Sequence, residues 1–204
     1  MEFCARKGMG MKMREGRLNR QTKETNIEIN LNIDGSGNSS IDTGIGFLNH
    51  MLTLFSFHGG FDLYVKCEGD LNVDTHHTVE DIGISLGKAF SQALEDKRGI
   101  NRYGFCLLPM DEVLARCVVD ISGRAYLVYN VVFNKERIGT MDTEDFKEFF
   151  RAFCVNSSIT LHVELLYGEN DHHKIEAVFK SLGRALRQAI EVVSSEVVST
   201  KDIL

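Results

Sequence analysis

The sequence contains no tryptophan and only one proline in 204 residues. No apolar run approaches the length needed to span a bilayer, so no membrane helix is expected. There is no basic excess. The 29 acidic side chains outweigh 23 lysines and arginines to leave a formal net charge of −6, which argues against nucleic acid or an anionic membrane as partner. Cys4, Cys67, Cys106, Cys117 and Cys154 are odd in number and form no C-x-x-C. Such usage suits reduced thiols in a cytoplasm, with positions 67, 106 and 117 acting as small hydrophobes in strand-like stretches. The first twenty residues are basic and Met-rich, yet they lack both the apolar core of a secretory signal and the serines of a transit peptide. Residues 1–17 are therefore expected to form a poorly ordered extension. What remains is ordinary for a soluble protein: 43% hydrophobic and 25% charged residues, enough for one large domain or two small fused ones.

The chain repeats itself. Shifted by 96 positions, residues 76–95 fall on 172–191 with ten of twenty positions identical, where about one or two would match by chance. "HHTVEDIGISLGKAFSQALE" is answered by "HHKIEAVFKSLGRALRQAIE". Upstream, "NIEINLNID" alternates with the period of a half-buried strand, "DGSGN" turns the chain, and "GFLNHMLTLFSFHGG" reads as a helix stopped by two glycines. "FDLYVKCEG" is a strand, and the His-rich segment opens a long helix. The second half reads as strands at 113–121 and 126–133, a helix at about 143–157, a strand at 159–166 and a helix from Asp171. The expected architecture is an α+β, internally duplicated domain. Its repeats span about 18–100 and 101–204, each a mostly antiparallel sheet with helices on one face. Pro109 is read as part of the connection between them.

Helical residues four apart share a face, whereas adjacent residues point about 100° apart. His76 and Glu80 can thus clamp one metal ion while His77 looks elsewhere, and His172 and Glu176 repeat the clamp with His173 turned away. All six are used if each half lends its second histidine to the other half's clamp, in the same or a neighbouring subunit. His50 and His162 lie upstream in related places and can complete three imidazoles and a carboxylate per ion. This donor set suits an octahedral Mn, Fe, Ni or Co ion better than structural zinc. His58 fits a helix C-terminus without any ligand role. Arg102, Arg124, Lys180, Ser199 and Lys201 are individually ordinary surface residues, but beside a metal they can form a phosphate pocket. A di-iron redox protein is a poorer reading, because its Glu-x-x-His order is reversed here and strands are plentiful. A metal buffer or scaffold would explain the ligands and leave the basic residues without a task.

With these residues in view, the sequence resembles the imidazoleglycerol-phosphate dehydratase family from about Arg17 onward. The resemblance runs through "TGIGFLNHML", "DTHHTVEDIGISLG", "MDEVLARCVVDISGR", "LHVELLYGENDHHKIEAVFKSLGRAL" and "STK". It implies a hydro-lyase of histidine biosynthesis that dehydrates D-erythro-imidazole-glycerol phosphate through a metal-bound imidazole or imidazolate. It also implies two Mn(II) ions per active site and a 24-subunit assembly that falls to trimers without metal. By matching motif, one ion takes His50, His77, His172 and Glu176, and the other takes His76, Glu80, His162 and His173. Glu24 falls on the family's acid–base glutamate, with Glu176 a further catalytic candidate. Arg102, Arg124, Lys180, Ser199 and Lys201 fall on its substrate and phosphate positions. The chain departs from the usual pattern at Asn49, where Asp precedes the first ligand, and at Leu54, often Gln.

Overall fold

A computed structural model describes residues 13–201. The order is β1 (Glu15–Gln21), β2 (Thr25–Asn32), β3 (Ser39–Asp42), α1 (Gly46–Gly59), β4 (Asp62–Gly69) and α2 (His76–Leu94). It continues with β5 (Tyr103–Met110), β6 (Val113–Asp120), β7 (Tyr126–Asn130), a small hairpin of β8 (Arg137–Ile138) and β9 (Met141–Asp142), α3 (Asp145–Ser157), β10 (Thr160–Tyr167) and α4 (Asp171–Ala189). Two four-stranded sheets, ordered β1-β2-β4-β3 and β5-β6-β10-β7, share one topology. In each, the last pair is parallel and the others antiparallel.

The alternation along β2 buries Ile27, Ile29 and Leu31, and that along β6 buries Val113, Ala115, Cys117 and Val119. These faces point at the helices, with α2 on the first sheet and α4 on the second. The halves then meet helix to helix, α1 against α4 and α2 against α3. The core is four layers: sheet, helices, helices, sheet. Glycines set the closeness of the helix layers. A Cβ at Gly87 would lie 2.7 Å from the carbonyl oxygen of Phe153, and one at Gly183 would lie 2.7 Å from that of Phe55. The α1 helix ends as its sequence requires, with Gly60 left-handed at φ 65° and the N–H of Phe61 returned to the carbonyl of Ser56.

Some expectations need correction. The extension read over 1–17 overlaps β1, since Glu15 to Arg17 pair with Asn32 to Asn30; residues 1–12 lie outside the described residues. The strand β1 escapes pattern reading because it is a polar edge whose one fully buried residue is Gly16. Pro109 is not in a connection but in β5, opposite Leu114. Being an edge strand, β5 can spare that N–H. The strand expected over 126–133 stops at Asn130, and the β8–β9 hairpin was not foreseen. No helix among the described residues is long and apolar enough to cross a membrane.

Candidate metal centre

The second clamp forms where α1 crosses α4. Asn170 caps α4, its side-chain oxygen accepting the N–H groups of His172 and His173. This fixes the first turn, so that His172 Nε2 and Glu176 Oε2 stand 3.2 Å apart on one face. From α1, His50 brings its Nε2 to 3.5 Å from the same oxygen. These three ligand atoms all lie within 4.8 Å of one another. Atoms about 2.1 Å from one ion and at right angles to each other are about 3 Å apart, so the donor set fits a single divalent ion. Glu176 is 8% exposed. Burial by itself would raise its pKa, but the hydrogen bond and charge of Lys180, with His50, outweigh it and hold the carboxyl below its ordinary value. At Asn49, the departure beside His50, the side-chain oxygen accepts from the N–H and hydroxyl of Thr43, bracing the loop into α1.

The first clamp is looser. His76 Nε2 and Glu80 Oε2 are 3.8 Å apart, while the other carboxylate oxygen, Oε1, accepts from Arg151 of α3 at 3.0 Å. Behind the imidazole, His76 Nδ1 lies 3.5 Å from the buried Asp145. His77 faces the other way, its Nδ1 hydrogen-bonded to Asp70 at 2.9 Å and its Nε2 3.9 Å from Glu24. The Asp70 hydrogen bond is the largest cause of a raised His77 pKa. Carboxylates behind imidazoles recur in metal sites, where they fix ring orientation and increase ligand basicity. Asp70, Asp145 and Arg151 had no signal in the sequence that marked them for this.

Glu24 sits at the tip of the β1–β2 hairpin, immediately before β2. The tip is tied down on both sides of it: Thr22 Oγ1 accepts the N–H of Glu24 and of Thr25, while Arg20 and the Thr25 hydroxyl both donate to Asp81 of α2. Asp81 lies one turn beyond His77, so the strand tip and the helix hold Glu24 beside that histidine.

One chain therefore gathers His50, His172 and Glu176, pairs His76 with Glu80, and sets His77 with Glu24. His173 is held by Glu112. His162 lies on the outer face of the second sheet, lining a hollow with Arg116, Val118, Val128, Asn130 and Glu164. The expected sets, with His77 joining the second clamp and His162 and His173 joining the first, are not closed within one chain. The basic residues divide as well. Arg102 and Arg124 meet at Asp120, and Arg102 also donates to the carbonyl of Val198, which brings the Ser199–Lys201 turn to the same place. Arg102 is not the solvated charge its turn suggests. Its guanidinium makes two hydrogen bonds to Asp120 and lies 4.7 Å from the Tyr103 ring centroid. Lys180 belongs instead to the second clamp.

The profile of the imidazoleglycerol-phosphate dehydratase family matches residues 43–186, a span that includes both clamps. The chain belongs to the imidazoleglycerol-phosphate dehydratase family. The Clostridioides difficile imidazoleglycerol-phosphate dehydratase is 59% identical over 192 residues, covering 94% of this chain and all of the relative. That of Clostridium botulinum is 57% identical over 195 residues, with 95% and 100% covered. The crystal structure of the Staphylococcus aureus enzyme superposes with a TM-score of 0.80 at 46% identity, covering 88% of this chain and 99% of that one. A Pyrococcus furiosus structure gives 0.80 at 37%, with 92% and 100% covered. Membership in this family makes the chain a dehydratase, a hydro-lyase serving histidine biosynthesis. It also disposes of the di-iron and metal-buffer readings.

Proposed function

We propose that the chain dehydrates D-erythro-imidazole-glycerol phosphate to imidazole-acetol phosphate, using two Mn(II) ions per active site. The observation that carries this is the convergence of His50, His172 and Glu176 in a member of the dehydratase family. In this reading His77 from a neighbouring copy completes that ion's shell, and His76, Glu80, His162 and His173 together hold the second. A divalent ion, when bound, would supply a Lewis acid that makes the remaining N–H of an imidazole coordinated through its other nitrogen easier to deprotonate. The chain's residues do the rest. Glu24, held at the hairpin tip, removes and returns the proton that the carbon skeleton must exchange. Glu176 stays ionised beside Lys180, as a ligand and as the alternative base. Arg102, Arg124, Ser199 and Lys201 anchor the phosphate through charge-assisted hydrogen bonds, with Lys180 reaching in from the clamp. Anchoring holds the reacting carbon in place.

Sites completed across an interface imply self-association. The reading is a 24-subunit assembly with metal and trimers without it. It is supported by an apolar outer face on the second sheet, where Tyr103, Phe105, Leu107, Val118 and Tyr126 are exposed. Cys67, Cys106, Cys117 and Cys154 are free thiols, which suits a cytoplasmic enzyme. The test is turnover. Chelator-stripped protein should be inactive on imidazoleglycerol phosphate, and Mn(II) should restore it. Undiminished turnover after complete metal removal would refute the reading.

A further inference from the structure

The tip of the β5–β6 hairpin carries Glu112, whose Oε2 lies 2.9 Å from Nδ1 of His173. This position is the internal duplicate of Glu24, hidden because the hairpins repeat at a different offset from the helices. Gly16 and Gly104 are 88 positions apart, and a Cβ on either would strike a helix carbonyl, that of Ala89 at 1.8 Å or Ala185 at 1.9 Å. The N–H groups of Arg17 and Phe105, again 88 apart, donate to the side chains of Gln92 and Gln188. The same step carries Glu24 onto Glu112, as the helix repeat carries His77 onto His173.

The two glutamates nevertheless meet their histidines differently. In the first half, Asp70 occupies Nδ1 of His77 and leaves Glu24 at Nε2, 3.9 Å away. In the second, Glu112 itself occupies Nδ1. Loop length explains the change. Residues 70–75 connect β4 to α2 and supply Asp70, whereas only residues 168–170 connect β10 to α4. Of these, Asn170 is used as the helix cap. Gly168 has φ +142°, and a Cβ there would lie 2.5 Å from a methyl of Val113. Glu169 gives its carbonyl to Asn134.

We propose that the duplicated glutamates have divided their labour: Glu112 is a positioning residue that orients His173 as a metal ligand, while Asp70 relieves Glu24 of that task and leaves it free to move a proton. This rests on the metal reading above. An imidazole whose Nδ1–H donates to a carboxylate presents an unprotonated Nε2 and binds metal more strongly, such partners being worth about 10–100-fold in affinity. Glu112 also accepts the N–H of Asn170 at 2.8 Å, so the hairpin tip and the start of α4 hold one another.

The experiment is Mn(II) titration of the chelator-stripped full chain, with free Mn(II) followed by electron paramagnetic resonance. Wild type should bind two ions per chain. Glu112→Ala should weaken one of them about 10–100-fold, and Glu112→Gln, which keeps an acceptor for Nδ1–H and preserves the fold, should lose less. Glu24→Gln should bind both as wild type does. Placed in a His173→Ala background, Glu112→Ala should cause no further loss, because it acts through that imidazole. Wild-type affinity in both Glu112 variants would overturn the proposal. So would an undiminished effect in the His173→Ala background, which would make Glu112 a brace for the loop. A wild-type protein that binds no Mn(II) would instead remove the metal reading itself, and this proposal with it.

Discussion

Lys180 Nζ lies 2.5 Å from Oε1 of Glu176, one turn back along α4, while the other oxygen of that carboxylate faces His50 and His172. The lysine therefore holds the carboxylate ionised and aimed. Without it, burial remains as the largest influence, and burial raises the pKa. Lys180→Met should move the Glu176 titration upward, because the close opposite charge that favours the ionised carboxylate is gone. Carboxyl carbon NMR of the metal-free protein reads this directly. An unmoved titration would show that His50 alone suffices.

Gly87 and Gly183 test the duplication as packing. Replacing a helical glycine by alanine ordinarily stabilises by about 1 kcal/mol. Here the new methyl would lie 2.7 Å from a backbone carbonyl of the facing helix, Phe153 for Gly87 and Phe55 for Gly183. The helices must separate, and overpacking of this kind costs about 1–3 kcal/mol. Both substitutions should lower the midpoint of urea unfolding, by similar amounts. A raised midpoint in either would mean that the helix layers yield easily.

Asp34 predicts a pH dependence. Arg14 donates to both of its carboxylate oxygens, at 3.0 and 2.6 Å, and to the carbonyl of Ile190, tying the β1 end to the end of α4. Burial would raise the Asp34 pKa, but the Arg14 hydrogen bonds and charge, with a contribution from Arg187, bring it below 3.8. A carboxyl whose folded pKa is lowered adds stability above its unfolded pKa, and loses it as pH falls through the folded value. Asp34→Asn should thus cost about 1.5–3 kcal/mol at pH 7, with the gap narrowing below pH 3.8. Denaturation at pH 7 and pH 3 checks it. An equal loss at both would assign the effect to shape rather than charge.

His162 is exposed on the outer face of β10, outside the donor group formed by His50, His172 and Glu176. If it serves another copy's clamp, His162→Ala should fold normally, lose about one ion per chain and fail to form the large particle. Sedimentation velocity with and without Mn(II) distinguishes the outcomes. Full assembly with full metal content would strike His162 from the ligand set.

The clamps were legible because a helix converts sequence spacing into geometry: His172 and Glu176 are neighbours in space for the same reason that they are four apart in sequence. The alternating central strands β2 and β6 were legible for the corresponding reason. Of the edge strands, β7 was legible though read too long, whereas β1 and the extent of β5 were not. β1 contributes a glycine to the core, and β5 turns Tyr103, Phe105 and Leu107 outward. β1 is polar along most of its length, and the inward face of β5, Gly104, Cys106, Leu108 and Met110, is masked in the sequence by the apolar residues that alternate with it. Contacts between elements were equally silent. Asp70, Asp145, Arg151 and Glu112 reach their partners across loops and helix pairs, and a chain that repeats at 96 in its helices but 88 in its hairpins hides the match of Glu24 to Glu112.

Glu24 carries the sharpest chemical prediction. Its tip is fixed by Thr22, Arg20 and Thr25, none of which uses the Glu24 carboxylate. Removing that carboxylate therefore leaves the hairpin's own bonds intact. Glu24 is not in the assigned metal sets, and its carboxylate is half exposed and 3.9 Å from His77 Nε2. Glu24→Gln keeps the size and one acceptor while losing the ability to take a proton. It should retain both ions and bind substrate with little change in KM, while kcat falls by roughly 10²–10⁴, the usual contribution of one general acid–base group. Metal content by elemental analysis separates this from a structural effect. Loss of metal together with activity would make Glu24 a support for His77. A near-normal kcat at full metal would move the proton transfer to Glu176, whose carboxyl is already held ionised by Lys180.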